Sequence, residues 1–184
     1  AELLAVGHVV ARCTGPMEFG ARGLGNRSIL ADPSHPQVVG TINRLIKRRD
    51  FWMPFAPAIL EEKADDYVRI PESLRHGKSL CSMMHAFDTT ARRQELIAGV
   101  HPADGTARAQ IVRQHDNPRF HSLITHFGRL TGRWAILNTS FNLHGSPMVM
   151  GLCDAIDVLL ASDLQYLVAD HYLVTKRTMT QRDS

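Results

Sequence analysis

Residues 18–28, Glu18-Phe19-Gly20-Ala21-Arg22-Gly23-Leu24-Gly25-Asn26-Arg27-Ser28, hold three glycines, two arginines, an asparagine and a serine. Glycines let the backbone turn where a Cβ would clash, and they let a ligand come close to main-chain N–H groups. Arginine adds a planar fork of donors that suits phosphate or carboxylate oxygens. A loop combining both suits an anion. An ordinary surface turn with solvated arginines is the other reading of the same residues.

The rest of the chain has to form a core around this loop. At 184 residues it is long enough for one domain with a real core, placed here at residues 1–177 with a frayed polar tail at 178–184. With 44% hydrophobic and 21% charged residues, the composition is that of a globular domain and not of a disordered chain. No apolar run approaches the roughly 18 residues that span a membrane, and no secretory signal opens the chain. It begins at Ala1 without an initiator methionine, which reads as a piece of something longer. Cys13, Cys81 and Cys153 are odd in number and far apart, so they read as reduced thiols of a cytoplasmic protein. A net charge of +3 does not compel a nucleic-acid partner; anion affinity has to come from local clustering.

Along the chain, residues 3–12 predict a buried strand that delivers the backbone into the glycine loop. Asp32-Pro33-Ser34-His35-Pro36 predicts a turn and a helix start, and Val38, Val39, Ile42, Leu45 and Ile46 continue at helical spacing to Lys47-Arg48-Arg49. Residues 54–60 carry two prolines and predict an extended segment or edge strand. A polar loop over 71–78 precedes a strand over 80–87, with Met83 and Met84 as core filler, and a short helix or ordered insertion over 88–98. Asp104-Gly105 predicts a turn before an alternating strand, whose Thr106, Arg108 and Gln110 share one face. Asn117-Pro118 opens a helix that closes near Gly132. A strand over 134–137 then enters a loop, Asn138-Thr139-Ser140-Phe141-Asn142. Leu152, Ala155, Ile156, Leu159 and Leu160 mark a last helix, and 166–168 and 172–174 the final strands. Strands and helices interleave, so the fold class is α/β, or intermixed α+β, around one sheet.

Donor residues recur at the ends of these elements: Arg22, Asn26 and Arg27; Lys47 and Arg49; Arg108 and Gln110; Ser140 and Asn142. None forms a recognisable nucleophile–base pair. The histidines lack ligand spacing, which argues against a structural metal. Asp32 and Asp104 could hold Mg²⁺ on a nucleotide, although plain turn chemistry is the stronger reading of each. Cationic and amide donors together fit phosphoryl or acyl-phosphate chemistry, where positioning and charge stabilisation supply most of the rate.

The run Met17-Glu18-Phe19-Gly20-x-Arg22-x-Leu24-Gly25-Asn26-Arg27-Ser28-Ile29-Leu30-Ala31-Asp32-Pro33 closely resembles a signature of the O-carbamoyltransferase family. That family includes nodulation protein U and the cephamycin and tobramycin carbamoyltransferases. The resemblance continues in Ile46-Lys47-x-Arg49, Pro54-Phe55-Ala56-Pro57, Asp104-Gly105-Thr106-Ala107-Arg108-x-Gln110 and Leu137-Asn138-Thr139-Ser140-Phe141-Asn142-x-x-Gly145-x-Pro147. It runs collinearly from about Gly15 to Lys176. The family's pattern has proline, alanine, arginine, arginine, histidine and glutamate where this chain has Ala21, Gly23, Ser34, Met53, Pro102 and Ser146.

The resemblance implies a C-terminal domain similar to the YrdC fold, a twisted mixed sheet with flanking helices around a basic cavity. It implies that carbamoyl phosphate and ATP, with Mg²⁺, react there to give carbamoyl-adenylate. A metal-binding N-terminal domain of the same polypeptide would then pass the carbamoyl group to a hydroxyl of a sugar, Nod factor or antibiotic. By the same resemblance Lys47, Arg49, Arg108, Ser140 and Asn142 are the catalytic candidates. Arg22, Asn26, Arg27, Gln110, Asn138 and Thr139 are the substrate- and phosphate-binding ones. Arg22, Arg27, Lys47, Arg49 and Arg108 are expected to converge on one cavity, with Arg48 pointing to solvent. Two other readings stand beside this one: an RNA- or nucleotide-binding module, and a degenerate domain motivated by Met53 and Ser146. RNA would call for exposed aromatics among the cations, and the aromatics here sit mostly in apolar patterns.

Overall fold

A computed structural model describes residues 1–47, 54–75 and 77–176. The strands are β1 Val10–Cys13, β2 Arg27–Ala31, β3 Ala56–Leu60, β4 Phe87–Asp88, β5 Thr106–Ala107, β6 Gln110–Val112, β7 Ala135–Ser140, β8 Tyr166–Ala169 and β9 Tyr172–Thr175. Seven of them form one sheet in the order β6-β3-β7-β2-β1-β8-β9, while β4 and β5 pair separately. The sheet is mixed: β1 runs parallel to β8 and β3 to β6, and the other neighbours are antiparallel. The α-helices are α1 Glu2–Ala5, α2 Gln37–Ile42, α3 Ala64–Tyr67, α4 Pro118–Thr131 and α5 Leu152–Ala161. This is the mixed α/β architecture that the interleaved pattern predicts.

Both faces of the sheet are covered, which is why β2 and β3 are buried at every position. On one face Leu30, Ala58, Leu60, Val112 and Ile136 meet Leu4 of α1 and Phe120, Ile124 and Phe127 of α4. On the other, Ala11, Ile29, Ala31, Leu137 and Leu167 pack on Val38 and Ile42 of α2 and Ala155 and Leu159 of α5. A satellite core gathers Tyr67, Phe87, Leu96, Val100 and Ile111. α4 begins where Asn117 Oδ1 accepts the Phe120 N–H at 3.1 Å and ends at Gly132, whose φ is +75°. Both ends are as the sequence predicts.

Four segments depart from expectation. Residues 3–12 split into α1 and β1, because Gly7, at φ +90°, turns the chain and its N–H donates to Leu4 O. β3 is an interior strand despite Pro57. The Leu60 N–H donates to Trp134 O at 3.3 Å, so even-numbered N–H groups of β3 face β7 and the Pro57 ring faces the β6 side. Pairing with β6 starts only at Ala58, so no ladder bond is lost there. Residues 80–87 are not a strand: a 3-10 turn covers Lys78–Ser82, Met83 takes a left-handed conformation, and only Phe87 and Asp88 pair. β7, finally, does not stop at Leu137 but continues to Ser140, because Asn138, Thr139 and Ser140 pair with Leu30, Ile29 and Ser28.

That extension gives the sheet a polar end. The C-termini of β1 and β7 and the N-termini of β2, β3 and β6 meet there, bringing Arg12, Ser28, Gln110, Asn138 and Ser140 to one edge. The loop between β1 and β2 is the glycine-rich stretch, and it folds over this edge.

A test of the packing is Gly128 on α4, where an added Cβ would run into the Trp134 ring. Gly128→Ala should lower stability by about 1–3 kcal/mol through overpacking, read from the urea midpoint. An unchanged midpoint would contradict this seat for Trp134.

Candidate functional site

Local chemistry shapes the glycine loop before any ligand is considered. The Glu18 carboxylate accepts the N–H groups of Asn26 at 2.8 Å and Arg27 at 2.9 Å, clasping the loop's end to its beginning. Asn26 Nδ2 donates to Pro16 O, while its Oδ1 accepts from Asn117 Nδ2 at 3.0 Å and from Arg12. Arg12 also donates to Gly25 O, and its guanidinium lies 5.7 Å from the Phe120 ring centre. Burial lowers the Arg12 guanidinium to about 10, so it remains a cation at neutral pH. At the loop's middle, Gln110 Nε2 donates to Leu24 O at 2.7 Å and Asn138 Nδ2 to Gly23 O at 3.0 Å. Gly23 presses so closely on β7 that a Cβ would lie 2.9 Å from Ser140 Cα and 2.5 Å from Arg27 O. That is the physical reason for glycine at this position.

Beneath the loop is a narrow cleft lined by Arg22 and Gly23, by Pro54, Phe55 and Ala56, and by Met83, Arg108, Asn138, Thr139 and Ser140. Lys47 reaches it from beside. The lysine closes a π-helical turn, Asn43–Lys47, that continues α2, a departure from regular helix found often at functional positions. Its side chain is buried, and Nζ donates to Ser140 Oγ at 3.2 Å and to Asn142 Oδ1 at 2.6 Å. The Ser140 hydroxyl also donates to Asn142 Oδ1, at 2.7 Å. Asn142 Nδ2 is spent on the carbonyls of Leu143 and Ser146, both at 2.8 Å. A buried ammonium, a hydroxyl and an amide are therefore fixed against one another at the cleft's end.

The sequence candidates divide accordingly. Arg22, Arg108, Asn138, Thr139 and Ser140 line one cleft, and Lys47 and Asn142 join it through Ser140. Gln110 stands behind the cleft, its Oε1 accepting from Asn138 Nδ2 at 2.8 Å. Arg27 lies elsewhere: its guanidinium is buried and donates to the carbonyls of Thr14, Gly15, Asn26 and Met150. Asn26 likewise holds the loop from behind. Arg48, Arg49 and Met53 fall outside the described residues, as does the whole tail, 178–184.

The two aspartates are occupied in turns. Asp32 accepts the Ser34 N–H and hydroxyl at 2.9 and 2.7 Å and pairs with Arg133. Asp104 accepts the Thr106 N–H and hydroxyl at 2.9 and 2.8 Å. Among the described residues, no three His, Cys, Asp or Glu stand together as a metal cluster. Burial pushes the Cys81 thiol up to about 11 and raises that of Cys13, so neither supplies a thiolate near neutral pH. Sequence reasoning missed Arg12, Glu18 and the Met83 wall; Glu18 was open to recognition, since it begins the same motif. What the cleft offers is positive charge, a hydroxyl and amides, which can hold and polarise an anionic phosphate or acyl phosphate.

The model of a family described as Carbamoyltransferase C-terminus matches residues 1–176. The chain is 38% identical over its full length to nodulation protein NolNO of Sinorhizobium fredii, of which it covers 26%. It is 37% identical over its full length to nodulation protein NolO of Bradyrhizobium diazoefficiens, covering 33% of that protein. With the 3'-hydroxymethylcephem-O-carbamoyltransferase of Amycolatopsis lactamdurans it shares 30% identity over 83% of its length and 28% of the relative's. The chain thus spans about a quarter to a third of these relatives.

Asp170 provides a pH test of the loop's anchoring. Its carboxylate accepts the Thr14 hydroxyl at 2.7 Å and the Gly15 N–H at 3.1 Å, and these bonds, the hydroxyl's first, hold its pKa below the usual carboxylate value. A depressed folded value means that this clamp is in force above the unfolded pKa of about 4 and is lost as pH falls through the folded value. Asp170→Asn should therefore flatten the acid dependence of urea unfolding below about pH 5. An equal slope in variant and wild type would contradict the clamp.

Proposed function

The chain belongs to the carbamoyltransferase C-terminus family, and on that premise we propose that it is the domain that forms carbamoyl-adenylate in an ATP-dependent O-carbamoyltransferase. The observation that carries this reading is the Lys47–Ser140–Asn142 group set against a cleft with Arg22 and Arg108. Carbamoyl phosphate, water and ATP would give carbamoyl-adenylate, phosphate and pyrophosphate. Water cleaves the carbamoyl phosphate to carbamate and phosphate. A carbamate oxygen then bonds to the α-phosphorus as the bond to pyrophosphate breaks. Apart from the water, every species in that sequence is an anion, and both displacements build negative charge on oxygens that Lys47, Arg22 and Arg108 would neutralise. Arg49, by the family resemblance, joins them.

Magnesium fits as a passenger on the nucleotide. Asp32 and Asp104 already serve the side chains and N–H groups of their own turns, and the cleft is lined by donors that suit phosphate oxygens better than a bare cation. The transfer to a hydroxyl belongs in this proposal to an N-terminal domain of the same polypeptide, for which the greater length of the relatives leaves room. The acceptor class, a sugar, Nod factor or antibiotic hydroxyl, is what the family resemblance implies, and the name of the cephem O-carbamoyltransferase agrees with the last of these. No helix among the described residues is long and apolar enough to cross a membrane, and a cytoplasmic site suits a reaction fed by ATP.

Incubating the purified chain with ATP, Mg²⁺ and labelled carbamoyl phosphate should yield carbamoyl-adenylate, and no labelled acceptor when a hydroxyl compound is added. Lys47→Ala should lower adenylate formation by about 10²-fold or more, the usual effect of removing a donor aimed at developing charge. Labelled acceptor from this chain alone would overturn the division of labour. Absence of both adenylate and carbamoyl-phosphate-dependent pyrophosphate exchange would overturn the activity.

A further inference from the structure

We infer that the Oδ1 atom of Asn138 reads the amide N–H of the carbamoyl group and so selects carbamoyl phosphate over acyl phosphates that lack it. The inference rests on the carbamoyl-phosphate reading of the cleft and adds the residue that confers its specificity. Asn138 stands on β7, buried, in the lining of the cleft. Its amide orientation is fixed by a relay. Gln110 Nε2 must donate to the Leu24 carbonyl, at 2.7 Å, and so Gln110 turns its Oε1 toward Asn138. Asn138 then has to present Nδ2, which donates to that Oε1 at 2.8 Å and to the Gly23 carbonyl at 3.0 Å. Both ends of the relay terminate on backbone carbonyls, which accept and cannot donate. Flipping either amide would set oxygen against oxygen.

The consequence is an acceptor with nothing to accept. Asn138 Oδ1 is a buried side-chain oxygen without a hydrogen-bond partner among the described residues. Buried polar groups are ordinarily satisfied, and one left bare on a residue that lines a cleft is a candidate for pairing with a ligand. Among the other side chains that line or adjoin the cleft, Arg22, Arg108 and Lys47 are cations suited to the anionic end of a ligand. A ligand that matches these cations and the Asn138 oxygen carries a phosphate at one end and an N–H at the other. Carbamoyl phosphate has that polarity. Acetyl phosphate has the same charge and nearly the same shape but sets a methyl group against the oxygen. Sites built to hydrogen-bond a ligand N–H reject the analogue without it, because the protein's own polar atom is then stranded.

The test is calorimetric titration of the whole 184-residue chain with carbamoyl phosphate and with acetyl phosphate. Wild type should prefer carbamoyl phosphate by about tenfold or more. Asn138→Ala should bring that ratio close to one. Asn138→Asp keeps the oxygen and loses the Nδ2 donor, so it should bind both ligands more weakly and still prefer carbamoyl phosphate. A purely structural Asn138 would lower both affinities together and leave the ratio alone. Equal binding of the two ligands by wild type overturns this inference and leaves the anion site intact. So does an unchanged ratio in Asn138→Ala, or a ratio near one in Asn138→Asp. Binding of neither ligand by wild type overturns the inference and the carbamoyl-phosphate reading together.

Discussion

The geometry at the sheet's polar end depends on the guanidinium of Arg27. It is buried, and its hydrogen bonds go to the backbone: Thr14 and Gly15 after β1, its own neighbour Asn26, and Met150 just before α5. Hydrogen bonds to a charged donor contribute about 1.5–3 kcal/mol each, and a buried cation without them would be expensive. Those bonds tie the first strand, the glycine loop and the entry of the last helix to one point. Arg22, on the exposed crest of the same loop, lines the cleft instead.

The two arginines also show what sequence can and cannot distinguish. Arg22 and Arg27 lie five positions apart in one motif and carry the same chemistry, so both read as anion donors. Which one turns inward is decided by β2: Arg27 is its first residue, paired with Cys13, whereas Arg22 lies in the loop. Long-range register of this kind leaves no mark in local pattern. Pro57 teaches the same lesson, since a proline in an interior strand is tolerated only because its ring faces the short side of the β6 pairing. Helices α4 and α5, by contrast, were legible because their signals are local: Asn117 and Gly132 bracket one, and the apolar spacing from Leu152 marks the other.

The Lys47–Ser140–Asn142 group was legible in a different way. Nothing in the spacing of residue 47 and residues 140–142 brings them together; the family resemblance does, and the fold places them within hydrogen-bond distance across 93 and 95 positions of sequence. Asn138 and Gln110 were named as ligand-binding candidates in the same way, but their roles separate in three dimensions. Asn138 lines the cleft, and Gln110 lies behind it, accepting from its Nδ2. The loop carbonyls of Gly23 and Leu24 thus do more than close a turn: they set the direction of two side-chain amides and through them the chemistry available at the cleft.

The central claim is that the cleft under the glycine loop is where the chain holds carbamoyl phosphate and nucleotide. Backbone amide chemical shifts of the labelled chain, followed by NMR as Mg²⁺-ATP and carbamoyl phosphate are added, test it most directly. The account predicts that the largest shifts fall on Arg22, Gly23, Lys47, Arg108 and residues 138–142, with Thr14 and the far ends of β8 and β9 little changed. Shifts concentrated on any other surface, with those residues silent at saturation, would contradict it.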